Sequence, residues 1–165
     1  AVSLEANLFR VLRVPGPGAP GAAAAAASAA LAGLAARRPG VSWGRFGLIE
    51  SGSVVLAAAP AEPRANSLLP DVHVTLLHED RILPGLPELF AAVGGALPSV
   101  LAVVSGPSKS ADIEQMLAVG VHGPKEEHVV LLPPGAPAPA GLEPTSFTAG
   151  DFRAPAAPGA PAGSL

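Results

Sequence analysis

SVLAVVSGPSKSADIEQMLAVGVHGPKEEHVVLLP, Ser99 to Pro133, decides how the chain is read. It opens on an apolar run, SVLAVV, and closes on another, HVVLLP. Between them lie Ser105, Ser108, Lys109, Ser110, Asp112, Glu114 and His122, more ionisable and hydroxyl groups than a turn requires. The apolar runs read as strands and SADIEQMLAV as a helix between them. Working upstream, LPELFAAVGGAL (Leu86–Leu97) predicts another helix and DVHVTLL (Asp71–Leu77) another strand. Strand, helix, strand, helix, strand at this spacing predicts parallel crossovers. Near-continuous apolar strands fit a sheet covered on both faces. The expected fold class is therefore α/β, a mostly parallel sheet flanked by helices.

Further upstream, FGLIESGSVVLAAAP (Phe46–Pro60) predicts a hairpin turning at Ser51–Gly52. The run AAAAAASAALAGLAA (Ala22–Ala36) predicts a helix that ends at Arg37–Arg38 and is stopped by Pro39–Gly40. It falls short of the roughly 20 apolar residues that span a bilayer, so a soluble, cytoplasmic protein is expected. Leu4, Leu8 and Leu12 predict a short amphipathic helix over the first dozen residues, capped by Ser3. Three regions follow: 1–42, helices and linker; 43–133, the α/β core; 134–165, a tail rich in Pro, Ala and Gly.

Composition narrows the function classes. A net charge of −3, with 5 Phe, 1 Trp and no Tyr, gives neither the basic field nor the stacking platform that nucleic acid needs. With no cysteine, the chain has no thiolate to hold zinc or an iron–sulfur cluster. The histidines lack an H-x-x-x-H or comparable spacing, so no metal site is assigned. Gly16-Pro17-Gly18-Ala19-Pro20-Gly21 matches a dinucleotide fingerprint in form only. Pro17 and Pro20 each remove a backbone donor that a pyrophosphate would need, which leaves a linker.

The candidate site gathers around the opening stretch. Ligands of open α/β sheets sit at the carboxyl ends of strands, and a helix N-terminus favours an anion. Ser105, Gly106, Ser108, Lys109 and Ser110 are thus candidate anion-binding residues, although one serine would suffice as a helix cap. Asp112 and Glu114 point about 200° apart on an ideal helix, and Asp112, nearer the start, is the candidate for the site. His122 and His73 are candidate proton acceptors or ligand contacts, with a structural hydrogen bond the alternative for each. Glu50, at a second polar cluster, is a candidate base or nucleophile, and otherwise a solvated turn residue. Arg64 can hold a carboxylate through two parallel hydrogen bonds, or be an ordinary surface residue.

ESGSVVL, R-x-x-SLLPDVHV, SGPSKSADIE and GVHGP, in this order, resemble the lactate-utilization (LUD) domain family, closest to its lactate utilization protein C branch. The resemblance runs from about Trp43 to Pro133. Lys109-Ser110 stands where the family pattern has Arg-Thr, which keeps charge and hydroxyl but gives up a bidentate fork. The resemblance implies a NagB/RpiA/CoA-transferase-like fold. It also implies a part in oxidising L-lactate to pyruvate beside partner proteins that carry iron–sulfur clusters, with no cofactor in this chain. The chain is short for the family and begins without Met, so segments before Trp43 are expected to be missing. Two other functions compete: a stand-alone enzyme on sugar phosphates or CoA thioesters, with Glu50 as nucleophile, and a regulatory or scaffold protein.

Overall fold

The computed structural model describes residues 10–13, 21–59, 62–94, 98–107, 109–111, 117–119 and 123–139. Two strands dominate it. β5 (Val72–His78) and β10 (Glu126–Leu132) pair in parallel from end to end. Both are almost wholly buried, as their apolar runs require of a sheet with two covered faces. β2 (Gly40–Trp43) adds to the far side of β5 and β1 (Arg10–Arg13) to the far side of β10. The result is a fully parallel four-stranded sheet in the order β1-β10-β5-β2.

The alanine run forms α1 (Ala22–Leu34), continued by a 3-10 turn over Ala35–Arg37. Its small side chains bring the helix close to the sheet, with Ala27 fully buried beside Trp43, Val74, Leu76, Val130 and Leu132. Arg38 then adopts a left-handed conformation, φ 48°, which ends the helix before Pro39. Arg37 reaches across to Glu126 through two hydrogen bonds of 2.8 and 2.9 Å.

A second sheet covers the other face. β3 (Phe46–Leu48) and β4 (Ser53–Ala57) form the expected hairpin, with Gly52 at φ 56° in its turn. β6 (Ile82–Leu83) joins β3 in parallel, and β7 (Leu101–Val104) joins β4 antiparallel. Leu77, Val129 and Leu131 of the first sheet meet Val54, Ile82 and Val104 of the second. On the outer side of the second sheet, α3 (Leu86–Val93) packs Leu89, Ala92 and Val93 against Phe46, Leu48, Val55 and Leu83. The layers therefore run helix, sheet, sheet, helix. This is an α/β fold with one parallel and one mixed sheet, flanked by helices.

Three expectations are corrected. Arg10–Arg13 is a strand, not the end of a helix. Leucines four apart satisfy a strand's period of two as well as a helix's, and the open edge of β10 supplies the pairing; residues 1–9 lie outside the described residues. β7 does not extend the β5 sheet by a parallel crossover; it is an edge strand of the second sheet, with Val103 exposed. Finally, the helix expected from Ser110 does not start there. β8 (Lys109–Ala111) pairs antiparallel with β9 (Leu117–Val119). The helix N-terminus invoked for an anion is therefore absent at Lys109–Ser110.

Candidate functional site

The face of the first sheet that meets the second is apolar at one end and polar at the other. His73 is the second residue of β5 and Glu127 the second of β10, and the parallel register sets them side by side. His73 pairs in register with Gly40 of β2, so Ser42, two residues along, points to the same face. His73 Nδ1 lies 2.7 Å from Glu127 Oε2, and its Nε2 lies 3.1 Å from Ser42 Oγ. His73 and Glu127 are almost completely buried, at 0% and 1% exposure. Burial pushes the Glu127 carboxyl above the usual carboxylate range, and the His73 hydrogen bond and the His73 and His128 charges pull it back.

A cleft of about 280 Å3 opens over these polar residues, between the two sheets. Its walls include Ser42, Trp43 and Glu127 from the parallel sheet, and Leu56–Ala58 and Ala102–Ser105 from the mixed one. The short helix α2 (Ala65–Leu68) and the turn before it complete the wall with Glu62, Arg64 and Ser67. Gly40 lets α2 come in close, since a Cβ there would run into the Asn66 carbonyl oxygen. Glu62 is 9% exposed; its Oε1 accepts the Trp43 N–H at 3.0 Å and its Oε2 lies 3.7 Å from Arg45 Nη2. Polar groups in the walls, Ser42, Glu62, Arg64, Ser67, Ser105 and Glu127, suit a small ligand with its own polar groups.

Of the candidates named from the sequence, Arg64, Ser105 and Gly106 line this cleft. His73 lies behind the wall and reaches it through Ser42 and Glu127. The two polar clusters are also brought together. Ser53 Oγ, fully buried, lies 2.9 Å from Ser51 Oγ and 2.7 Å from Ser105 Oγ. Glu50 is placed elsewhere: it is exposed, and its carboxylate lies against Gly85 at the start of α3. Lys109 and Ser110 have backbone positions in β8, pairing with Val119 and Ala118. Ser108, Asp112 and His122 lie outside the described residues. Among the described residues, no three or more His, Asp and Glu cluster as a metal would need.

The cleft lies near the amino-terminal starts of β5 and β10 and takes in the carboxyl ends of β2, β4 and β7. Ser42, Glu62 and Glu127 were not singled out from the sequence. The one available signal was periodicity: Glu127 alternates with Val129 and Leu131, an acid on the strand's buried face.

The model of the LUD domain matches residues 24–132, beginning inside α1 and ending with β10. The chain belongs to the LUD domain family. YkgG, an uncharacterized protein of Escherichia coli, is 43% identical over 91 residues, covering 52% of this chain and 39% of the relative. The lactate utilization protein C of Halalkalibacterium halodurans is 41% identical over 91 residues, covering 52% of this chain and 40% of the relative. That of Bacillus subtilis is 34% identical over 99 residues, 56% of this chain and 41% of the relative. This LUD chain thus spans about two fifths of the length of the curated relatives it matches. A crystal structure of a DUF162 family protein from Deinococcus radiodurans superposes with a TM-score of 0.50 at 19% identity, covering 79% of this chain and 94% of that one. At that identity the likeness concerns the fold.

Proposed function

We propose that this LUD domain acts in the utilization of L-lactate, in the lactate utilization protein C branch, as a substrate-handling or accessory part of its oxidation to pyruvate. The observation that carries the reading is the match to proteins named lactate utilization protein C, beside a LUD domain match over residues 24–132 that takes in every residue lining the cleft. In this reading the fold is of the NagB/RpiA/CoA-transferase type and the protein works in the cytoplasm. Electrons leave through partner proteins bearing iron–sulfur clusters, since this chain has no cysteine to ligate one.

The ligand is a small hydroxy-carboxylate. Arg64, Ser105 and Gly106 hold its carboxylate, with Ser108, Lys109 and Ser110 supplying further donors. His73, acting through Ser42, or His122 accepts the hydroxyl proton, and Asp112 stands as a further candidate acid–base group, whereas Glu50 lies outside the cleft.

The test is genetic. The coding sequence is deleted from its host, and growth on L-lactate as sole carbon source is compared with growth on glucose. Loss of growth on lactate alone, restored by the wild-type gene and not by Arg64→Ala, is expected. Undiminished growth on lactate after deletion in a host with no second lactate route would contradict the reading.

A further inference from the structure

Ser42, His73 and Glu127 form a hydrogen-bonded chain that ends at a cleft wall. Both ring nitrogens of His73 are engaged, Nδ1 by Glu127 Oε2 at 2.7 Å and Nε2 by Ser42 Oγ at 3.1 Å. Three adjacent parallel strands, β2, β5 and β10, hold the groups in this order. Ser42, 8% exposed, and Glu127, 1% exposed, both line the cleft, and the more accessible end of the chain is the Ser42 hydroxyl. As a packing device the arrangement is costly: burying an acid and an imidazole often stabilises no better than apolar residues of the same volume. The atom order, serine oxygen to Nε2 and acid to Nδ1, is what activation of a hydroxyl requires.

We propose that Ser42, His73 and Glu127 are a nucleophile-activating triad, with Ser42 Oγ the acyl-accepting atom and a small activated ester or thioester the class of substrate. With Nδ1–H donating to the Glu127 carboxylate, the imidazole tautomer is fixed and Nε2 accepts the Ser42 O–H. Ser42 Oγ attacks the carbonyl carbon as its proton passes to His73 Nε2. The C–O or C–S bond to the leaving group breaks, and His73 returns the proton to that group. Water repeats the sequence, releasing the carboxylic acid and restoring Ser42. No electrons are exchanged, and neither lactate nor a partner protein is involved, so the inference stands apart from the lactate reading.

The amide next to the nucleophile is not free to stabilise an oxyanion, because Trp43 N–H donates to Glu62 Oε1 at 3.0 Å. Loss of one such donor costs about 10²–10³ in turnover. Stoichiometric reaction with an electrophile, not rapid turnover, is therefore the informative readout.

The full chain is treated with a fluorophosphonate at neutral pH, and adducts are mapped by peptide mass spectrometry. Ser53 and Ser105 serve as internal references. Ser42 is expected to react at least about 100-fold faster than either, as a base-activated hydroxyl does beside ordinary ones. Ser42→Ala removes the adduct, and Glu127→Gln, checked for native circular dichroism, slows labelling about tenfold or more. Ser42 labelled no faster than Ser105 overturns the proposal, as does a folded Glu127→Gln protein labelled at the wild-type rate. The comparison among three serines of the wild-type chain holds whether or not a variant folds.

Discussion

Glu127 carries the sharpest consequence at the scale of single residues. It is buried at the wall of the cleft against His73, and burial lifts its carboxyl above the usual range. A carboxyl whose folded pKa lies above its unfolded value binds more protons in the native state. Its contribution to stability is full below the ordinary glutamate range and is lost as pH rises through the raised folded value. Glu127→Gln, which keeps an oxygen for His73 Nδ1–H and never ionises, removes that loss. Thermal denaturation should show the variant gaining on the wild type as pH increases from about 4 to 7, with the difference flattening above the raised pKa. A difference independent of pH would contradict the burial of an ionisable group here. His73 was recognisable in the sequence as an ionisable residue within an apolar strand. Its partners were not, because Glu127 is 54 residues away and Ser42 is 31, and only the strand register joins them.

At the scale of elements, the cleft depends on α2 pressing against the start of β2. Gly40 allows the approach, and a methyl group there would meet the Asn66 carbonyl oxygen and Pro70. Gly40→Ala should destabilise the fold by about 1–3 kcal/mol through displacement of α2. Gly33→Ala is the control: it lies within α1 with nothing within 4 Å of a new Cβ. It should stabilise by about 0.5–1 kcal/mol, the ordinary gain of alanine over glycine in a helix. Chemical denaturation of both variants checks this pair, and an unaffected Gly40→Ala protein would contradict the close packing of α2.

Elements with one dominant signal were legible: β5 and β10 as apolar runs, the β3–β4 hairpin from Ser51–Gly52, and α1 from its alanines and stop signals. Those with two compatible periods were not. Leucines at intervals of four are compatible with a strand as well as a helix, as β1 around Leu12 shows, and the short apolar run Leu117–Val119 of β9 is compatible with either. The sheet to which β7 belongs is also invisible locally. An apolar strand of four residues carries no mark of its neighbour, and the hairpin's β4 edge takes it antiparallel.

At the scale of the whole molecule, two sheets packed face to face between helices enclose a polar-walled slot. Residues far apart in the chain supply its walls: Arg64 ahead of β5, Ser105 and Gly106 after β7, and Glu127 within β10. Among the described motif residues, Leu56, Arg64, Ser67, Ser105, Gly106 and Pro124 line this cleft, while Glu50 stands outside it against Gly85. The central claim is that this cleft receives a small hydroxy-carboxylate through Arg64. The most direct measurement is a calorimetric titration of the full chain and of Arg64→Ala with L-lactate. Saturable binding by the wild type, weakened about tenfold or more in the variant, is predicted from the loss of a charge-assisted pair. Equal binding by both proteins, or no binding by the wild type, would contradict it.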